Sequence, residues 1–449
     1  MTLSRTAAMA ARALPFILGA YAVFLNASLG RPIWIDEFSH FAFAAEPSTR
    51  DAWDRFLLAA VGNQHGQTGV YILLNYWTLT TLGLDPTLLR LPSILSGLLL
   101  FGSAIMLFRV LGLSVLWQIV LVGALSGQHL LMHYVGEARA YAPIPAAAAG
   151  LLLFYVAQPL HPGSRGLLCF GIAVAVFGAI IHPYFALYWP AVCLVAYVHR
   201  QARSAEPFSL ASLIRFANPG LVALGAGLYL LLAALTWLRG QPHFAFDPFE
   251  WLNRQHGPLA YFTDYSHTQF LHGRYWAAAS LTIVTVLGAM ALPATLRGSR
   301  RALWPPALLM LLSVLISLLL GWVSYLSDYW ILTRQWIGSV ALFAIGLVWF
   351  WAEAARLWER VAPPLGFVVC IAAGLLVSDQ ALRRHREKLS EVRAHFAQAH
   401  SVPPPGDCIP PAAFGPAGAS LDSWNDRLVA LANRNINCGG PVWPLFRAY

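Results

Sequence analysis

Residues 89–108 read LRLPSILSGLLLFGSAIMLF. These positions carry one charge, Arg90, and a helix of this length rises about 30 Å, the thickness of a bilayer's hydrocarbon core. A strand in a globular sheet ends well before this length, and an outer-membrane barrel would show shorter segments of alternating polarity. The block therefore reads as a membrane-spanning helix with an arginine at its entrance. Working outward, similar apolar blocks occupy residues 14–25, 117–134, 141–156, 166–181, 184–198, 221–237, 275–296, 306–323, 331–351 and 365–377. They explain why 58% of the 449 residues are hydrophobic and only 11% charged, where a soluble protein carries about 25% charged residues. An ordinary cytosolic enzyme is excluded. The 35 glycines and 29 prolines follow no period, which excludes a fibrous chain.

Charge orders these blocks across the membrane. Segment 69–84 is short and interrupted by Asn75 and several threonines, so it reads as an interfacial or re-entrant helix rather than a span. The loops then alternate so that Arg5, Arg12, Arg109, Arg165, Arg200, Arg203, Arg215, Arg297, Arg300, Arg301, Arg356 and Arg360 share the N-terminal side, opposed there by Glu206, Glu353 and Glu359. The whole net charge of +9 falls on that face, and the remaining 17 basic and 17 acidic residues balance on the other. The positive-inside rule makes the charged face cytoplasmic. The expectation is an all-α polytopic protein of about 11 spans, N-terminus inside and C-terminus outside, beginning with an uncleaved signal anchor because Asn26-Ala27-Ser28 is a poor cleavage site. Arginines scattered between apolar blocks, with Lys388 the single lysine, are topology signals and give no nucleic-acid surface.

Two regions follow, a transmembrane domain over 1–377 and an extracytoplasmic tail over 378–449. Outer loops cover 31–88 and 239–274, and the tail opens with a polar, helix-like stretch at 380–399 before turning proline-rich. Cys408 and Cys438 are the cysteines this topology places outside the membrane, in an oxidising compartment, so a disulfide between them is expected. Cys169, Cys193 and Cys370 fall in apolar spans and read as small buried hydrophobes.

Polar residues gather at the outer ends of the spans. Trp34-Ile35-Asp36-Glu37-Phe38-Ser39-His40 places adjacent carboxylates where the first outer loop meets the bilayer. Asp36 suits a general base that meets both a lipid headgroup and a water-borne acceptor; Asp36 as a helix N-cap is the bland alternative. Asp36 and His40 are spaced to share a divalent metal, although spacing identifies no third ligand. His133-Tyr134-Val135-Gly136-Glu137-Ala138-Arg139-Ala140-Tyr141 joins two spans in an outer turn. Its Arg139 suits a phosphate, because the guanidinium fork binds two oxygens at once; an interfacial anchor with Tyr141 as a belt residue is the alternative. His182 and Arg334 sit in two further outer turns and are weaker phosphate ligands. The loop 239–274 carries His256 and Tyr265 among other aromatics, a pattern suiting sugar stacking and interfacial anchoring equally. No Gly-rich phosphate loop or Cys/His zinc spacing is present.

These motifs resemble those of GT-C membrane glycosyltransferases. The resemblance rests on Trp34-Ile35-Asp36-Glu37, His65-Gly66-Gln67, Leu89-Arg90-Leu91-Pro92-Ser93 and Gly136-Glu137-Ala138-Arg139-Ala140-Tyr141. It is similar to the bacterial members related to protein O-mannosyltransferases, the lipid A aminoarabinose transferase and the rhizobial galacturonosyltransferases, and covers residues 10–200. The resemblance implies long helices with outer-face interfacial helices, in a bacterial inner membrane. It also implies inverting transfer of a sugar from a polyprenyl-phosphate donor to an extracytoplasmic lipid, glycan or protein acceptor. Asp36, with Glu37 beside it, would stand at the reaction centre, Arg139, His182, Arg334 and Tyr141 would hold the donor phosphate, and His40, His65, His256 and Tyr265 would meet acceptor or sugar. Gly66 and Gln67 depart from the family's Pro-Pro or Lys-Pro pattern, so neither mannosyl nor aminoarabinose specificity follows. A transporter or flippase of lipid-linked sugars and an undecaprenyl-diphosphate-dependent ligase are the rival readings.

Overall fold

A computed structural model describes residues 5–27, 37, 48–50, 69–82, 86–182, 184–204, 208–239, 275–291, 298–326 and 336–401. Among the described residues all regular structure is helical. The helices are α1 (Arg5–Ala27), α2 (Gly69–Leu82), α3 (Pro86–Leu89), α4 (Leu91–Val110), α5 (Val115–Ser126), α6 (His129–Val135), α7 (Pro143–Ala157), α8 (Arg165–Ile181), α9 (Phe185–Ser204), α10 (Leu210–Phe216), α11 (Pro219–Arg239), α12 (Tyr275–Ala291), α13 (Trp304–Leu326), α14 (Ile337–Glu359) and α15 (Pro363–Ser401). Each apolar block of the sequence, as far as it is described, is helical over most of its length. Among the described residues six helices are long and apolar enough to cross a membrane, and up to eight if each of two bent pairs makes one span. The chain is a multi-pass membrane protein. The expected eleven spans include α8 and α12, whose apolar stretches are shorter, and α9, whose C-terminal end carries His199, Arg200 and Arg203.

Block 117–134, expected as one span, is broken. α5 and α6 meet at 80°, because Gln128 takes an extended conformation just after Gly127 and Gln380 of α15 packs against that glycine. Twelve residues of α5 rise only about 18 Å, so the chain turns sideways before a full crossing. A second bend of 68° separates α10 from α11. Asn218 makes it possible with a left-handed φ of 57°, which asparagine tolerates better than most side chains, and its Oδ1 accepts from Leu221 N–H at 3.4 Å. Segment 69–84, expected as an interfacial or re-entrant helix, carries the 14-residue α2 over Gly69–Leu82. α15 runs through residue 377 without a break, so the polar stretch 380–399 continues the helix that begins with the last apolar block.

α7 and α14 form the centre. Every residue of α7 is buried, and its Ala146–Ala149 run lets α4, α8 and α9 approach closely. In α14, Trp349 and Trp351 are buried, and Ser339 exchanges hydrogen bonds with the Tyr188 hydroxyl of α9 at 3.1 and 3.2 Å. Around them, α11, α12 and α15 leave Leu230, Leu231, Ile283, Leu287, Phe367 and Leu375 exposed, as lipid-facing surfaces require. Cys193 and Cys370 are buried as expected, whereas Cys169 is exposed; α8 contributes only one stripe to the core, and Cys169 lies off it. Cys408 and Cys438 lie outside the described residues.

Candidate functional site

The turn between α6 and α7 is held by a different element at almost every residue. Gly136 presses on α1, where a Cβ would collide with the carbonyl oxygen of Asn26. Glu137, 2% exposed, has its Oε1 3.1 Å from His133 Nε2. The N–H of Ala138 donates to Glu37 Oε1 at 2.7 Å. The carbonyl of Arg139 accepts from Ser93 Oγ of α4 at 3.3 Å, and Ser93 Oγ in turn bonds the buried Tyr71 hydroxyl of α2. Pro143 then starts α7, a position where its missing N–H costs nothing.

Glu37 is the most constrained group of the set. It is wholly buried, and Arg90, 1% exposed, grips it with both arms: Nε to Oε1 and Nη2 to Oε2, each at 2.9 Å. With the Ala138 N–H added, Glu37 is tied both to the entrance of α4 and to the turn 136–141. Each of its oxygens thereby accepts at least one hydrogen bond. Arg90, Ser93 and Tyr71 were not among the site residues expected from sequence. Their signal was present, since Arg90 is the lone charge of an otherwise apolar block, but its partner lies 53 residues away.

Arg139 is 6% exposed and lies over the Tyr141 ring, with its guanidinium carbon 5.5 Å from the centroid, a cation–π placement. Tyr141 packs against Tyr134 at 5.3 Å and against His182 at 6.0 Å. His182 sits in the turn between α8 and α9, outside the spans. Burial first, and the Arg139 charge second, push its imidazole down to about 3, so it is neutral. Its Nδ1 accepts the Tyr184 N–H at 3.2 Å, which leaves the proton on Nε2 as a donor. Burial likewise raises the Tyr71 phenol, with Glu37 and Glu137 adding to the shift and Arg139 opposing it, so Tyr71 is neutral too.

The structure thus gathers Glu37, Arg139, Tyr141 and His182 at one end of the bundle. One cation, a neutral donor and phenolic rings bordering apolar helices can hold a phosphate that carries a lipid tail. Asp36, His40, His65, His256, Tyr265 and Arg334 lie outside the described residues. Among the described residues no three His, Cys, Asp or Glu side chains are grouped to hold a metal ion.

No protein-family model matches the sequence, and no curated protein matches it. Among solved structures, a crystal structure of ArnT from Cupriavidus metallidurans bound to undecaprenyl phosphate is similar over 87% of this chain and 81% of that one, at 14% identity and a TM-score of 0.49.

Proposed function

We propose that the protein is an inverting glycosyltransferase that moves a sugar from a polyprenyl-phosphate donor to an extracytoplasmic acceptor, from within a bacterial inner membrane. The observation that carries this reading is the clamped turn 136–141, which sets buried Arg139 beside neutral His182 and docks on the acidic first-loop motif through Glu37. In the reaction the acceptor oxygen gives its proton to Asp36 and bonds to the anomeric carbon. The anomeric carbon–oxygen bond breaks with its electron pair passing to the lipid phosphate. Arg139 and the His182 Nε2–H receive that charge, Tyr141 walls the site, and Arg334 joins the phosphate set. Glu37 fixes the loop so that the adjacent Asp36 meets the acceptor, and His40, His65, His256 and Tyr265 contact acceptor or sugar. The transmembrane part, residues 1–377, holds the chemistry, and the tail from 378 lies on the extracytoplasmic side of the membrane.

Mass spectrometry of lipid that copurifies with the full chain identifies the donor and supplies the assay. Asp36→Asn then lowers turnover by at least about a hundredfold with donor affinity intact, as removal of a general base does. Arg139→Lys weakens donor binding as well as rate, because an ammonium lacks the planar fork. Transfer by Asp36→Asn near the wild-type rate removes Asp36 from the mechanism, since asparagine caps a helix about as well as aspartate.

A further inference from the structure

At the opposite end of the bundle a second arrangement has no part in this chemistry. α9 closes with Arg200 and Arg203, and the chain then folds back on itself. The pivot is Tyr197, a buried side chain whose hydroxyl donates to the Ser209 carbonyl and accepts the Ser209 N–H, both at 3.2 Å. Its ring stands between Phe208 and Phe216, at 5.5 and 5.6 Å. α10 is thereby laid against α9, and with α11 along the membrane normal its 68° angle to α11 sets it near the membrane plane.

α10 is apolar on two sides. Leu213 and Phe216 pack on the core, while Phe208, Leu210 and Ile214 are 63%, 65% and 54% exposed. Arg203 and Arg215, both exposed, bracket those apolar side chains along the chain. The turn Gly298–Leu303, with Arg300 and Arg301, packs on α9 and is tied to the end of α14 by Arg360 Nη1 donating to Ser299 Oγ at 2.7 Å. Residues 199–219 hold three arginines against one carboxylate, Glu206.

We propose that the α9–α10 corner is a binding site for an acidic phospholipid, with Arg203 and Arg215 on the headgroup phosphate and Phe208, Leu210 and Ile214 among the acyl chains. Charge complementarity selects this occupant: the corner gathers positive charge, and a guanidinium fork matches phosphate oxygens. The exposed apolar row selects a lipid over a soluble anion, because an in-plane segment with apolar side chains beside arginines lies in the headgroup–acyl boundary.

The test uses the purified full-length protein in detergent, with its thermal midpoint followed as phosphatidylglycerol, phosphatidylcholine or inorganic phosphate is added. Phosphatidylglycerol raises the midpoint, and the other two leave it in place. Arg203→Gln with Arg215→Gln weakens apparent affinity for phosphatidylglycerol by about 25-fold, or about fivefold per arginine. Leu210→Ser with Ile214→Ser weakens it as well. Should a double variant lower the lipid-free midpoint, Arg215→Gln alone carries the test at about fivefold. An equal rise with phosphatidylcholine, an equal rise with inorganic phosphate, or unchanged affinity in the arginine variants each overturns the assignment. So does a rise seen only when a copurifying protein is present.

Discussion

The Glu37 carboxylate is wholly buried and held at both oxygens, so its fate is bound to that of Arg90. Removing one member of such a pair leaves an uncompensated buried charge, at a cost of about 3–5 kcal/mol, whereas replacing both members by groups of similar volume is often neutral. Arg90→Met should therefore lower the thermal midpoint steeply, and Glu37→Gln combined with Arg90→Met should recover much of it. A double variant as unstable as the single one would contradict the pairing. His182 gives a pH signature with a definite sign. Its folded value lies near 3, below the ordinary 6.5, so the unfolded chain takes up a proton that the folded chain refuses. Its stabilising contribution is complete above pH 6.5 and is lost as pH falls from 6.5 toward about 3. Between pH 7.5 and 5 the wild-type midpoint should thus drop more steeply than that of His182→Asn, and parallel profiles would count against a buried neutral imidazole.

Elements meet the site through their ends. α6 delivers Gly136 onto the last carbonyls of α1, α4 opens with Arg90 and Ser93, and α2 adds Tyr71. Gly136→Ala should force α1 and the turn apart, at about 1–3 kcal/mol for overpacking, and weaken donor binding because Arg139 moves with the turn. An unchanged midpoint for Gly136→Ala would show that the approach of α1 is not tight. The bend between α5 and α6 was not legible in the sequence, because an apolar run reports burial in lipid and carries no direction. Gly127 and Gln128 mark the place only once α15 is packed against it.

For the whole molecule, charge is the orienting quantity. If the basic loops face the cytoplasm, a phosphatase fused after Tyr449 should be active and a cytoplasmic reporter at the same site silent; the reverse pair of results would move the proposed site to the wrong compartment. Composition and apolar spacing by themselves determined that this is a helical, multi-pass membrane protein. They also located the blocks, the short α2 and the polar turns at the span ends, because transfer from water to hydrocarbon acts on each side chain almost independently of its neighbours. Partner choice was beyond them. That Glu37 closes on Arg90 and that His182 stays neutral beside Arg139 depend on contacts between residues distant in the chain or on the burial those contacts create. Only the tertiary structure decided them, since the energy of a buried charge is set by what surrounds it.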